Sequence, residues 1–353
     1  MYVLGGYNES TYGSSVFKEL WKFHLLKRQW SRQPIRGITD LICFGCTVDA
    51  SGSFLVYGGF DIPFDQELDN RIHFGRQGED GLTLKSFQPN DDKEAVYGNV
   101  LLFDEKRNRY ISVGGTRGQE FHMNVHVLER ANVLDSWTWR QLNTFQENEP
   151  RAPMGRYRME AVIDGDLIII FGGDRDEPIE DTLKKLLVYD LERELYTEVE
   201  TLPDPMHGYP PDRRCNGLAR RGRSVTITGG YAGRVLGTGH SAFKILNDCW
   251  TFDLDTRQWI RRPDLNVGVY LHSSTFAHDG RLLVNGGIVS YNAVTSRPKR
   301  TNSTQYAWLD PPSLFTIALM AIPMEVRATF GDCSMKDRSK FIGQVIMRLQ
   351  QAQ

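Results

Sequence analysis

Thr226-Ile227-Thr228-Gly229-Gly230, then Cys249-Trp250-Thr251-Phe252-Asp253-Leu254, then Trp259: these three pieces decide the fold. The first is a short β-branched run closed by two glycines, which reads as a buried strand ending at a crowded point. The second is another apolar strand, and the hairpin after it carries an aromatic on its far arm. The unit recurs along the chain. Glycine pairs stand at Gly5-Gly6, Gly58-Gly59, Gly114-Gly115, Gly172-Gly173, Gly229-Gly230 and Gly286-Gly287, 53 to 58 residues apart. Six pairs at nearly one period are a repeat signature. Each closes an apolar run, such as Phe54 to Tyr57 or Leu167 to Phe171, and most are preceded by a tight turn such as Asp164-Gly165-Asp166. A polar loop follows each pair. Then come a third strand (Leu20 to Phe23, Val125 to Leu128, Leu186 to Leu191, Cys249 to Leu254) and a fourth bearing Trp30, Trp139, Tyr196 or Trp259.

Four strands per repeat make one propeller blade. The expectation is an all-β fold, a six-bladed β-propeller over residues 1–309, with the aromatics filling the wedges between blades. Blade two is degenerate, with no obvious third and fourth strands between Asp69 and Phe87. Blade one begins inside its second strand. Blade six has a third strand, Gln305 to Leu309, but no fourth before Pro311-Pro312. Two seam strands are therefore missing, and unpaired edges are a liability. Either an N-terminal segment is absent from this chain or the seam is closed in another way.

Composition narrows the function. The chain has 353 residues, 42 Lys+Arg, 44 Asp+Glu and a net charge of −2, so no general attraction to nucleic acid or acidic membrane is expected. The apolar run Leu314 to Ile322 is about half a membrane span. Met1 leads straight into strand sequence without a basic n-region, so a cytoplasmic protein is expected, with the nucleus as a second compartment. Five cysteines then read as free thiols. Cys43-x-x-Cys46 has metal spacing, but on a first strand the two side chains do not converge, and no second ligand pair stands near. His122 and His126, at a loop-to-strand junction, make no metal site. No phosphate loop, nucleophile elbow or zinc-protease helix appears. The expectation is a non-enzyme with no cofactor and no metal.

From Pro311 the period changes. Leu314, Ile317, Ala318, Ala321 and Ile322 share one face of a helix, which Pro323 should end. A second amphipathic stretch runs from Lys336 to Leu349. Residues 310–353 therefore read as a helical tail, either capping the propeller rim or docking a helical partner.

First strands line the central channel of a propeller. Counting back from the glycine pairs gives one rung at its mouth: Phe44, Arg158, Arg214 and His272, with Tyr97 nearby and Tyr157 and Ser273 adjacent. Two arginines, a histidine and aromatics suit a carboxylate, because a guanidinium offers it a bidentate fork. The bland alternative is that the arginines bond loop carbonyls between blades.

The repeats resemble the kelch repeat. The tail segment Leu314-x-x-x-Ala318-x-x-x-Ile322 resembles the elongin-binding box, with Ala318 where that box has cysteine, and Pro323-x-x-Val326 resembles the cullin-2 box. With Gly59-Phe60-Asp61-Ile62-Pro63-Phe64, Arg156-Tyr157-Arg158, Arg213-Arg214-Cys215 and Pro312-Ser313-Leu314, nearly the whole chain resembles the kelch-repeat substrate receptors of cullin-2 ubiquitin ligases. That resemblance implies elongin B/C and cullin-2 as partners of Leu314, Ala318, Ile322, Pro323 and Val326. It also implies substrates recognised by C-termini ending in Gly or Ala. The competing expectation is a kelch scaffold that binds actin or a cytosolic signalling protein.

Overall fold

The computed structural model describes residues 1–10, 13–38, 41–60, 68–89, 93–130, 137–142, 153–173, 180–235, 241–291 and 297–322. They form six antiparallel sheets in chain order around a central channel. Blades three, four and five have four strands each, for example Gly217–Arg221, Ser224–Thr228, Cys249–Asp253 and Trp259–Arg262 in blade five. Blade two is complete: Ile72–Gly78 and Gly81–Phe87 are its third and fourth strands, and Ile35–Arg36 adds a short parallel fifth. The sequence hid them because His73, Arg76, Gln77, Lys85 and Ser86 interrupt the apolar run. Among the described residues blade one has three strands, Tyr2–Leu4, Leu20–His24 and Gln29–Gln33. Blade six also has three, Ser273–Phe276, Arg281–Asn285 and Thr304–Trp308. Cationic side chains bridge the seam between them, Arg300 over the Tyr7 ring at 4.5 Å and Arg28 over Tyr306 at 5.9 Å, contacts worth about 0.5–1 kcal/mol each at exposed sites.

The core is a series of layers between blades. Ile111, Val113, Val125, Ile168, Ile170 and Tyr189 close the gap between blades three and four. Phe171, Val225, Ile227, Trp250 and Trp259 close the gap between four and five. The fourth-strand aromatics reach back to the preceding blade: Trp139 lies 4.6 Å from Tyr57, Tyr196 donates to the Met123 carbonyl at 2.8 Å, and Trp259 donates to the Leu183 carbonyl at 2.9 Å. At the turns between first and second strands, ion pairs tie neighbours together. Lys106 of blade three reaches Asp166 of blade four, and Arg223 of blade five pairs with Asp164 of blade four.

The glycine pairs sit where one blade's entry segment crosses the next. Gly58 has φ 75°, and a Cβ on it would lie 2.3 Å from the Val96 carbonyl oxygen. Gly229 has φ 51°, with the Val269 oxygen at the same 2.3 Å. No other residue fits both the left-handed backbone and the space. Gly59 and Gly230 then donate to those two carbonyls, at 2.9 and 2.8 Å.

Three of the loops that follow glycine pairs are hairpins standing beyond the blades: Tyr7–Ser10 with Gly13–Val16, Tyr231–Val235 with Ser241–Ile245, and Ile288–Tyr291 with Pro298–Arg300. In the sequence they show only as polar loops. The helix Leu314–Ala321 begins where expected, with Ser313 capping the Thr316 amide at 3.1 Å. The described apolar residues of this stretch differ in exposure. Leu314 is 84% exposed and Ile317 49%, whereas Ile322 is only 7% exposed, so Ile322 is separated from the stripe it was grouped with. Pro323, Val326 and the stretch from Lys336 to Leu349 lie outside the described residues.

Candidate functional site at the channel mouth

Each chain segment entering a first strand turns sharply on one residue with positive φ. These residues are Cys43 (56°), Gly98 (64°), Arg158 (53°), Cys215 (53°) and Leu271 (53°), in blades two to six. Their backbones form a hydrogen-bonded chain around the channel: Gly98 N to Cys43 O at 2.9 Å, Arg158 N to Gly98 O at 2.8 Å, Cys215 N to Arg158 O at 3.2 Å, Leu271 N to Cys215 O at 3.0 Å. Four of the five carry side chains in a conformation that costs them energy. Such strain persists only where the surroundings enforce it, and it gathers at functional sites.

This arrangement corrects the counted rung. Phe44, Arg158, Arg214 and His272 do not share a level, because hairpin lengths differ between blades and the count from the glycine pair drifts. Arg158 lies in the ring itself. Arg214 precedes it, at the level of Tyr97, Tyr157 and Tyr270. Phe44 and His272 follow it, packed between blades. Phe44 lies against Gly5 of blade one, 3.3 Å from where a Cβ on Gly5 would stand. His272 is buried, accepts or donates one bond with Thr228 Oγ at 2.8 Å, and has its pKa lowered to about 4 by that burial. It is a neutral interblade residue and brings no charge to the mouth. Ser273 begins the next strand and is exposed.

Arg158 occupies the opening. Its Nη2 lies 3.8 Å from Cys43 Sγ of blade two, and its Nη1 lies 3.9 Å from Cys215 Sγ of blade five. A side chain that reaches both blades crosses the channel mouth. Gly98 permits this, since Arg158 Cγ would be 3.3 Å from a Cβ there. The thiol and phenols beside it are uncharged. Burial raises the Cys215 thiol pKa and the Tyr157 and Tyr231 phenol pKa values, so all three keep their protons. The guanidinium also stacks on Tyr157 at 5.1 Å, and its Nε is buried without a hydrogen-bond partner. No carboxylate of the described residues pairs with it. Thiols are weak acceptors, so this cation has strong donors to spare.

Aromatics wall the opening on both sides. Phe60, Tyr97 and Tyr157 run edge to face with centroids 4.8 and 6.2 Å apart, and Phe121 continues the row, tilted against Tyr157 at 5.3 Å. Arg214, itself buried, stacks on Tyr231 at 4.5 Å, and Tyr231 leans on Tyr270 at 5.0 Å. Two other arginines bond carbonyls, each within its own blade. Arg213 donates to Asp248 through both Nη atoms at 2.8 and 2.7 Å and to the Gly229 carbonyl at 3.0 Å, while Arg156 reaches the Gly172 carbonyl at 3.4 Å. Neither bond crosses from one blade to the next.

Other constellations are structural. Cys43 lies in the bend and only Cys46 lies on the strand Gly45–Val48, which corrects the placement of both on a first strand. His122 and His126 both lie on the strand Phe121–Arg130, and burial lowers the His126 pKa to about 3. Among the described residues no group of three His, Cys, Asp or Glu side chains could hold a metal, and the four described cysteines are free. Asp69, His73 and Ser86 form a hydrogen-bonded line that the sequence did not announce, at 3.3 Å and 2.8 Å. Burial would raise the Asp69 pKa, but hydrogen bonds from His73 and Arg71 outweigh it and hold the carboxyl well below its usual range. Arg71 grips it through Nε and Nη2. The line locks the third strand of blade two to the fourth.

Residues 80–287 match the family model described as the KLHDC2/KLHL20/DRC7 Kelch-repeats domain. The chain belongs to the kelch-repeat family. Among its relatives, Kelch domain-containing protein 10 of Rattus norvegicus is 29% identical over 328 residues, covering 90% of this chain and 75% of that protein. The Homo sapiens protein of the same name is 29% identical over the same length, covering 69% of it. The Drosophila melanogaster homolog is 26% identical over 352 residues. A kelch propeller is a fold used for binding proteins rather than for catalysis, and protein binding is the activity that family membership supports.

Proposed function

We propose that this kelch protein is the substrate-recognition subunit of a cullin-2 RING ubiquitin ligase. Its propeller captures the free C-terminus of substrate chains ending in Gly or Ala, and its tail docks elongin B/C and cullin-2. The observation that carries the reading is Arg158, a cation held across the channel mouth between two thiol sulfurs and a tyrosine ring with donors unspent. A terminal carboxylate supplies what the guanidinium lacks, and the preference for a small last residue is what the resemblance to the kelch-repeat substrate receptors implies. Arg214 strengthens the positive potential from one level above. Tyr157, Tyr97 and Ser273 offer neutral contacts. The work would take place in the cytoplasm, and in the nucleus as well.

The deciding experiment compares a Gly-ended peptide as free acid and as amide. The free acid should bind and the amide should lose nearly all affinity, as should a peptide extended by one bulky residue. Equal binding of acid and amide would move the protein to the scaffold reading, in which actin or a signalling protein is bound without regard to chain ends.

The tail is testable separately. Leu314 is an exposed apolar side chain at the start of the helix Leu314–Ala321, and Ile317 continues its stripe. Few buried anchors usually carry such an interface. Leu314→Asp should therefore abolish co-purification of elongin B/C, since docking would bury an unpaired carboxylate, while leaving peptide binding by the propeller unchanged. Undiminished capture of elongin B/C by the variant would remove the tail assignment. Ala318→Cys should bind elongin at least as well as the natural chain.

A further inference from the structure

The three hairpins stand on the mouth side, because they follow the glycine pairs and so leave the sheets at the end where the first strands begin. Two of them are rooted in mouth residues. Arg214 pairs through its backbone with Tyr231, the first residue of the blade-five hairpin, and Tyr270 pairs with Ile288, the first residue of the blade-six hairpin. The blade-six hairpin reaches blade one through Arg300 over Tyr7 at 4.5 Å. Blades five, six and one thus raise a continuous wall beside the opening. Strands of five residues stand about 15 Å tall at ~3.3 Å per residue.

The part of this wall that blades five and six supply carries charge of one sign. From Arg213 to Asn247 the sequence holds no Asp or Glu, and neither does the stretch from Gly280 to Leu309. Lys244, Arg297 and Lys299 are exposed on the hairpins, and no carboxylate of the described residues pairs with them. In register, Lys244 faces Ala232 and Lys299 faces Ser290, one or two residues above the mouth. The chain as a whole is slightly acidic at −2, so two acid-free segments meeting at one site are a local feature and not a reflection of composition.

We infer that the hairpin wall of blades five and six is a second recognition surface, which selects substrates carrying acidic side chains a few residues upstream of the C-terminus. The inference rests on the reading of the mouth as a carboxylate site. An extended chain rising from Arg158 gains ~3.3–3.6 Å per residue, which brings its third to fifth residues from the end alongside Lys244 and Lys299. Exposed ion pairs are individually weak and screened by salt, so the wall tunes selection among chain ends that Arg158 already accepts.

The test uses the whole chain and two fluorescent peptides with the same free-acid glycine end, one with Glu and one with Lys at the third, fourth and fifth positions from it. At low salt the Glu peptide should bind about tenfold more tightly. The gap should close at about 0.5 M NaCl and reverse in the double variant Lys244→Glu/Lys299→Glu, whose melting temperature should not move. Equal affinities with amidation still abolishing both would overturn this inference and leave the carboxylate site standing. A persistent Glu preference that ignores amidation would leave the wall standing and remove the carboxylate reading. Tighter binding of a single-stranded oligonucleotide than of the Glu peptide, lost in the double variant, would make the wall a nucleic-acid surface and overturn the inference.

Discussion

Arg158→Met should lower the affinity for a free-acid, Gly-ended peptide by at least about thirtyfold while leaving the propeller's melting temperature within a few degrees of the natural value. The magnitude follows from removing one partner of a desolvated charge pair, roughly 2–5 kcal/mol, at 1.4 kcal/mol per decade. The tolerance of the fold follows from the contacts. The guanidinium touches two thiol sulfurs and a tyrosine ring, so its loss strands no buried carboxylate. Methionine preserves the length and apolar stem, and it inherits the same positive φ, so backbone strain cancels in the comparison. Arg158→Lys should fall between, since it keeps a charge but loses the planar fork that matches a carboxylate. Titration of the three proteins with acid and amide peptides measures all of this. Unaltered affinity in Arg158→Met would mean the cation at the mouth does not read the chain end.

The largest effect on stability should come from its near neighbour. Arg213→Ala is expected to cost about 3–5 kcal/mol, because it leaves Asp248 buried and without its counter-ion. Asp248 is held by both Nη atoms of Arg213 and by Trp250 Nε1 at 2.7 Å, and the Arg213 side chain is fully buried. Arg213 also ties blade five's entry segment to the Gly229 and Pro211 carbonyls, so blade closure suffers with the ion pair. Arg213→Ala/Asp248→Asn should recover part of the loss by removing the orphaned charge. The pH dependence has a definite sign. In the natural chain burial would raise the Asp248 pKa, but the bonds from Arg213 prevail and lower it. A depressed carboxyl pKa contributes stability above its unfolded value and loses it as pH falls through the folded one. Without Arg213 the burial penalty is opposed mainly by the Trp250 hydrogen bond, so the deficit of the variant should be greatest near neutral pH and should shrink in acid. Chemical denaturation at several pH values checks this, and a variant as stable as the natural chain at pH 7 would show that the pair is not what closes the blade.

Arg158 and Arg214 were both picked out in the sequence, but their different jobs were not. Adjacent arginines at 213 and 214 look alike on paper, yet one is a buried structural clamp and the other stacks on Tyr231 at the mouth. The thiols that frame Arg158 are not legible as a pair in the sequence, because Cys43 and Cys215 stand far apart in it. His272 looked like a third mouth cation until its burial and its bond to Thr228 made it neutral. The hairpin wall was missed because its strands are short and carry Gly, Ser and Lys rather than an apolar run, so nothing local distinguishes them from loops.

The sequence by itself determined the blades. A glycine pair with positive φ closes an apolar strand in each of the six repeats, and at Gly58 and Gly229 a carbonyl oxygen 2.3 Å from where a Cβ would stand excludes any other residue, so these local requirements are written into the residues that meet them. Only the tertiary structure decided the site. Ring closure sets which residue of each entry segment takes the strained turn, and a drift of one or two residues in hairpin length moves a side chain from the channel mouth into the wedge between blades. Arg158 lies over the opening because Gly98 of the preceding blade leaves room for it and because blades two and five, brought face to face across the channel, present their thiols to its two ends.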